Sequence, residues 1–226
     1  MAQGVRLLVW GDRACFTRPE LKVERLSYEV ITPSAARGIL EAIHWTPAFV
    51  WRVERLRVLK PIKVETVRRN EVASRIASLH VRNAMTAHST EGLAVYVDED
   101  RQQRAATVLK DVAYVIEARI ELKDPMSADE PIGKHLDIFN RRTRRGQCFH
   151  RPYLGTREFA ADFALVEGEP PAVDESLLGE RDLGWMVQDL DYAHAGQPLF
   201  FKAIMRDGVI EVVGRPKTAP APPSAP

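Results

Sequence analysis

The sequence predicts an α+β protein built on the ferredoxin-like order of strands and helices. Apolar residues occupy every second position from Val112 to Leu122, which is the period of a half-buried strand. Thr32 and Pro33 form a strong helix start, with threonine as the N-cap and proline at the first helical position. The order strand, helix, strand, strand, helix, strand is the split β-α-β pattern, and an antiparallel β extension follows it.

The first helix is expected between two clear boundaries. A short apolar run, Val5–Trp10, predicts the strand before it. Helical spacing then places four apolar residues on one face: Ala36, Ile39, Leu40 and Ile43. Thr46 and Pro47 end the helix, which leaves His44 in its last turn.

The second strand and the region after it are less regular. Apolar residues alternate over Phe49–Val58, but the phase shifts at Glu54-Arg55, as an extra residue in a bulged strand would cause. A long polar insertion is expected over about 62–107. Within it, Asn70 could cap a helix that carries Val72, Ile76 and Leu79. Leu93–Val97 predicts a short strand.

The second half of the chain predicts a basic helix, Ile132–Arg145, and then short strands. Those strands are Phe159–Val166, Gly184–Leu190, Leu199–Met205 and Val209–Val213. Asp207-Gly208, between the last two, is a hairpin signal. The predicted division is a ferredoxin-like domain over 1–158, an antiparallel β region over 159–213 and a disordered, proline-rich tail over 214–226.

The totals exclude several classes of protein. A chain of 226 residues with 45% apolar and 28% charged residues is typical of a globular protein. A net charge of +1 excludes a protein that coats nucleic acid with its whole surface. Cys15 and Cys148 lie far apart, so reduced thiols are expected. No signal peptide or membrane-spanning run of about 20 apolar residues is visible, which predicts a cytoplasmic protein without a membrane partner.

Positive charge is concentrated in one stretch, 133–157. It contains seven Lys or Arg residues and a single acid, Asp137. Such a cluster on a nearly neutral chain is typical of contact with phosphates. Three aromatic residues, Trp45, Phe149 and Tyr153, could stack on unpaired bases or pack in the core.

No metal or cofactor site is expected. His80 and His88 are eight positions apart, His150 and His194 are isolated, and no cysteine pair joins them. The sequence also has no glycine-rich phosphate loop of the Walker type.

Several motifs together resemble one known family. They are Leu26–Trp45, Arg55–Ile62, Leu109–Tyr114, the Gly-Lys-His motif Gly133–His135, and Arg151–Phe159. In order and spacing they resemble the subtype I-C (Dvulg) branch of the fifth CRISPR-associated protein family, within the RAMP superfamily. The resemblance extends from about Val5 to Val213 and implies the ferredoxin-like, RRM-like RAMP fold.

The resemblance also implies a function. Members of this branch are metal-independent endoribonucleases that cut precursor CRISPR RNA within the repeat hairpin. The enzyme then stays on the crRNA 5′ handle as a subunit of Cascade, together with the other Cascade subunits of subtype I-C. In most type I systems this family only caps the handle, so a non-catalytic handle-binding subunit is the alternative. A metal-dependent DNA nuclease is a third reading, with no carboxylate pair to support it.

The family's catalytic group is a tyrosine at the end of the first helix plus the lysine and histidine of Gly-Lys-His. Lys134 and His135 match, whereas His44 stands at the tyrosine position. Metal-free RNA cleavage needs a base for the 2′-hydroxyl, an acid for the leaving 5′-oxygen and positive charge near the phosphorane. We assign His44 as base, His135 as acid and Lys134 as phosphate stabiliser, with the two histidine roles exchangeable. Structural roles for either histidine are the alternative.

The residues expected to contact RNA are mainly the cations of the basic stretch. The alternative interpretation of the arginines in this stretch is that they form a solvated surface and do not contact RNA. The predicted RNA-binding set is Arg37, Arg141, Arg142, Arg144, Arg145, Arg151, Tyr153 and Arg157.

Overall fold

The computed structural model describes residues 4–21, 23–123, 131–191, 194–212 and 217–218. The strands are β1 (Gly4–Ala14), β2 (Phe49–Val58), β3 (Lys63–Val72), β4 (Arg101–Leu122), β5 (Asp162–Leu165), β6 (Glu180–Asp191), β7 (Gln197–Arg206), β8 (Val209–Glu211) and β9 (Lys217–Thr218). The α-helices are α1 (Pro33–Ile43), α2 (Ser78–Ala87) and α3 (Ile132–Arg144), and Glu175–Leu177 form one turn of 3₁₀ helix.

Four strands form the ferredoxin-like unit, in the order β5-β1-β4-β2. Strand β4 pairs antiparallel with both β1 and β2, so β1 and β2 run parallel on either side of it. Helix α1 connects β1 to β2, and α3 connects β4 to β5, which pairs antiparallel with β1. This is the split β-α-β arrangement, and the predicted fold class is confirmed.

Helix α1 begins and ends close to the predicted residues. The Thr32 side chain accepts a hydrogen bond from the backbone N–H of Ala35, and Pro33 is the first helical residue. At the other end, His44 has extended backbone angles, and its N–H donates to the Leu40 carbonyl at 3.0 Å. His44 is therefore the C-cap rather than a residue of the last turn. Because the His44 backbone is extended, its side chain does not follow the helical arrangement of the residues before it.

The predicted bulge and the predicted hairpin are both present. In the pairing of β2 with β4 the register shifts between Val53 and Arg55. Between β7 and β8, Asp207 and Gly208 have φ values of 49° and 73°, the left-handed geometry of a tight two-residue hairpin turn.

The C-terminal strands extend the same sheet. β8 pairs with β2, β7 with β8, and β6 with β7. The predicted domain boundary after residue 158 falls before β5, the fourth strand of the ferredoxin-like unit. The division into domains stays a prediction. Of the predicted tail 214–226, Lys217–Thr218 pair with β7, and the remainder lies outside the described residues.

The insertion differs from its predicted structure. β3 pairs with the first half of β4 over ten consecutive residue pairs, and Asn70 lies inside it, opposite Gln103. The helix begins later, at Ser78, and Leu93–Val97 is not a strand. The predicted helix cap and strand were wrong because a long antiparallel ladder satisfies more backbone groups than a local asparagine cap.

The core lies between the ferredoxin-like sheet and α1 and α3. Its largest fully buried side chains include Trp51, Tyr28, Tyr114, Phe49 and Phe139. The two cysteines are free thiols. No α-helix among the described residues is long and apolar enough to cross a membrane.

Candidate functional site

The fold brings two predicted site residues, His44 and His135, into contact. His44 caps the end of α1, and His135 lies in the first turn of α3. The Nε2 atom of His44 lies 3.1 Å from the Nδ1 atom of His135, although 91 positions separate the two residues. Their ring planes are within 28° of parallel. Sequence reasoning selected both residues, and the sheet order places them side by side.

Aromatic residues of β2 form the floor of the pair. The Phe49 ring packs against both imidazoles, with centroid distances of 5.6 Å to His44 and 4.9 Å to His135. The Trp51 indole N–H donates to the His44 carbonyl at 2.9 Å and so fixes the end of α1. Both histidines are buried, at 4% and 2% exposure. The pair is thus rigidly held at the edge of the core.

Arg142 contacts His44 at Nδ1, the ring nitrogen that does not contact His135. Its Nη1 atom donates to the Ile43 carbonyl at 2.7 Å and lies 3.4 Å from His44 Nδ1. The sequence suggested a surface arginine that grips RNA, but the side chain is half-buried and directed inward. One signal was available in the sequence. Arg142 lies seven residues after His135, about two helical turns, and therefore on the same face of α3.

These contacts define where the protons of the pair lie. A guanidinium has only donors, so His44 Nδ1 must accept. A neutral imidazole carries one proton, which in His44 is then on Nε2 and is donated to His135 Nδ1. The proton of a neutral His135 therefore lies on its Nε2 atom. With both rings neutral, the Arg142 contact favours this pair of tautomers.

A line of exposed cations runs along the outer face of α3. Lys134, Arg141 and Arg145 are exposed and recur at intervals of seven and four residues, which places them on one side of the helix. Arg141 and Arg145 have no carboxylate partner among the residues that the structure describes. This surface beside the histidine pair is able to attract a polyanion.

The other predicted RNA-binding residues have varied surroundings. Arg144 pairs with Glu167 at 2.7 Å, and Arg151 pairs with Asp162. Arg157 is exposed. The two remaining residues, Arg37 and Tyr153, line a cleft of about 790 Å³ beside α1.

The cleft is partly apolar and contains two groups with shifted pKa values. Burial raises the pKa of the Glu41 carboxyl, and the nearby Asp189 raises it further, against the opposing charge of Arg37. Burial likewise raises the pKa of Tyr28 to about 12. Arg37 forms an ion pair with Asp189 at 2.7 Å, which joins α1 to β6. This ion pair therefore links two elements that line the cleft.

Among the described residues, the histidine pair has no third ligand of the kind a metal requires. Within the part of the chain that the structure describes, no group of three or more His, Cys, Asp or Glu side chains could hold a metal ion. What the site offers is two imidazoles, an exposed ammonium and several guanidinium groups, which are acid-base and anion-binding groups.

Known proteins resemble this chain over nearly its whole length. The family model described as CRISPR-associated protein (Cas_Cas5), in its Cas5d form, matches residues 4–213. A protein of Mannheimia succiniciproducens named CRISPR pre-crRNA endoribonuclease Cas5d is 53% identical over 216 residues, covering 94% of this chain and 96% of the relative. A Thermus thermophilus protein of the same name is 41% identical over 227 residues, covering 92% and 90%.

A solved structure described as a CRISPR-associated protein agrees in fold. It superimposes with a TM-score of 0.66 at 25% identity and covers 94% of this chain and 92% of its own. The match of the family model to almost the entire chain, together with relatives at 53% and 41% identity, identifies the family. This chain belongs to the Cas5 family of CRISPR-associated proteins, in its Cas5d branch.

Proposed function

We propose that this protein is a metal-independent endoribonuclease that cuts precursor CRISPR RNA within the repeat hairpin. It then stays on the 5′ handle as a Cascade subunit, beside the other subunits of subtype I-C. The hydrogen-bonded His44–His135 pair next to the basic face of α3 carries this proposal. The names of the two relatives, pre-crRNA endoribonucleases, support the substrate.

The reaction is attack of a 2′-hydroxyl oxygen on the adjacent phosphorus. The bond from phosphorus to the 5′-oxygen breaks, and the products are a 2′,3′-cyclic phosphate and a 5′-hydroxyl. His135 serves as the acid in its imidazolium form, which gives the Nε2 proton to the leaving 5′-oxygen and returns to a neutral ring. Lys134, exposed beside it, stabilises the negative charge of the phosphorane.

For His44 we propose a positioning role rather than that of the base. Both of its ring nitrogens lie within hydrogen-bonding distance of protein groups, His135 and Arg142. It therefore acts on the RNA through His135, whose ring it orients. A tyrosine at this position, as in the resembling family, has an O–H that could donate the same hydrogen bond to His135 Nδ1. The 2′-hydroxyl proton then passes to water.

Burial of the pair shapes how the RNA approaches. His135 is 2% exposed, whereas Lys134 is exposed. The phosphate therefore meets the Lys134 ammonium first, and side chains around His135 must move before the ring reaches the 5′-oxygen. The same burial is the observation that favours the alternative function, a handle-binding subunit that does not cut.

Cleavage of the repeat hairpin in EDTA tests the proposal. We expect the native protein to cut the hairpin of its own CRISPR locus in chelator and to leave a 2′,3′-cyclic phosphate. A hairpin with a 2′-deoxy nucleotide at the cut site should resist cleavage, because the nucleophile is missing. Tight binding of the hairpin with no cleavage would replace the endoribonuclease with the handle-binding subunit. Cleavage of the 2′-deoxy hairpin would contradict the mechanism.

Substitution of His44 distinguishes a positioning role from that of a base. His44→Ala removes the hydrogen bond to His135, and we expect the cleavage rate to fall by roughly 10-fold or more. His44→Gln supplies an amide N–H for His135 Nδ1 and an oxygen for Arg142, so most of that rate should return. The measurement is single-turnover cleavage across pH for both variants. A glutamine variant as slow as the alanine variant would assign the base to His44.

A further inference from the structure

We propose that the cleft beside α1 is a binding site for unpaired nucleotides, which stack on its aromatic rim. The inference rests on the proposed function for the identity of the RNA. It adds a second contact surface, distinct from the histidine pair, and it names the structural state of the RNA that the surface accepts. Trp45 and Phe149 form the rim at the end nearest His44.

The exposure of the rim is the first observation. Phe149 is 88% exposed and Trp45 is 53% exposed, which leaves two large apolar rings in water. Exposing rings of this size forgoes roughly 1.5–3 kcal/mol of burial energy each. The Phe149 backbone is nevertheless anchored, since its N–H donates to the Ala42 carbonyl at 2.8 Å. An exposed ring on an anchored backbone is a surface available to a flat ligand.

Two further rings continue the rim. The His150 ring lies 6.1 Å from Phe149 and 6.4 Å from Tyr153, measured between centroids. The planes of His150 and Tyr153 are within 25° of parallel. The rings of Phe149, His150 and Tyr153 thus follow one another along the cleft. A series of rings is the arrangement on which successive unpaired bases stack.

Arginines line the cleft and the depression next to it. Arg18 forms part of the cleft wall, with its guanidinium 4.5 Å from the centre of the Tyr28 ring. The cleft shares Thr17, Tyr153 and Gly155 with a second depression of about 700 Å³. That depression contains Arg25, Arg69 and Arg157. Arg25 and Arg69 both pair with Glu158 there, whereas Arg157 is exposed. The cleft and the depression together form a continuous path from the rim beside His44 to the C-terminal end of β3.

The chemistry of this path favours RNA over a protein partner. Its aromatic rings share the cleft with charged side chains, among them Arg18, Arg37 and Glu41, whereas charged residues are depleted at the core of protein interfaces. Its guanidinium groups complement phosphates. Double-stranded RNA does not fit the same chemistry, because its bases are already stacked on one another.

Binding to an unpaired oligoribonucleotide tests the proposal without any cleavage step. The two probes are a fluorescent single strand of about ten nucleotides and a repeat hairpin without unpaired ends. We expect Phe149→Ala to weaken binding of the single strand by about tenfold, the effect of losing one stacked base. Phe149→Trp should retain affinity, because it keeps a ring. Hairpin binding should change little in either variant.

Tyr96→Ala is the matched control. Tyr96 is an exposed aromatic residue of the insertion, at 63% exposure, and lies outside the cleft. Its removal should leave the affinity for both probes unchanged. If Phe149→Ala binds the single strand like the native protein, or weakens both probes equally, the proposal is overturned. A protein partner on this face would give the first of those results.

The outcome is separable from that of the proposed function. Loss of single-strand binding in Phe149→Ala would support the cleft even if the native protein failed to cut the hairpin. Cleavage of the hairpin with no effect of Phe149 on the single strand would overturn the cleft and leave the endoribonuclease intact.

Discussion

Replacing His135 with alanine should slow cleavage of the repeat hairpin by roughly 10²–10⁴-fold, the usual contribution of a positioned acid or base. In the imidazolium form, the Nε2 atom of His135 carries the proton for the leaving oxygen, and the contact with His44 at 3.1 Å orients the ring. RNA binding should be nearly unchanged, because the exposed cations of α3 remain. Single-turnover cleavage and binding of the same hairpin, both in EDTA, give the two quantities.

A second variant separates chemistry from folding. His135 is buried, so alanine leaves a cavity that could destabilise the site. His135→Asn fills part of that space and offers an oxygen to accept the His44 hydrogen bond, but it cannot donate a proton as an acid. It should be as inactive as the alanine variant while unfolding close to the native temperature. His80→Ala, at an exposed histidine of α2, is the control and should cut normally. A fast-cutting His135→Asn variant would remove His135 from the reaction.

Replacing Gly155 with alanine should be among the most destabilising single changes in the protein. Gly155 has a φ of +88°, which residues with a Cβ adopt at a cost of about 1–2 kcal/mol. A Cβ there would overlap the carbonyl oxygen of Cys15 and lie 2.6 Å from its carbonyl carbon. Because these are backbone atoms in a segment held by the Cys15 N–H to Leu154 carbonyl bond, they have little freedom to move. We expect a loss of about 3 kcal/mol or more.

Thermal unfolding measures this loss directly. A change of 3 kcal/mol lowers the midpoint by about 6–12 °C in a protein of this size. Gly168→Ala is the matched control, since no atom lies within 4 Å of its added Cβ and its φ is not positive. Equal midpoints for Gly155→Ala and the native protein would show that the Cys15 segment yields at low cost. Gly155 also lines the nucleotide cleft, so the variant should bind single-stranded RNA more weakly.

Local signals were sufficient to predict most elements of the fold. Thr32 and Pro33 begin α1 because a side-chain oxygen and a fixed φ act within one turn. Asp207-Gly208 forms the hairpin turn because the left-handed region admits these residue types. The phase shift near Arg55 marked the bulge of β2. Together with the order of elements, these features indicated the ferredoxin-like unit. The motif resemblance indicated the family and the identity of His44, Lys134 and His135.

The tertiary structure decided what these residues contact. No local rule gives the 3.1 Å contact between two histidines 91 positions apart, because it depends on β4 lying between β1 and β2. The same is true of Arg142, which the charge pattern placed on the surface and the helix packing turned toward His44. Asn70 joined a strand because its partner β4 was available. Sequence periodicity records which residues are apolar and how they are spaced, whereas contacts between distant segments depend on how the strands pair across the sheet.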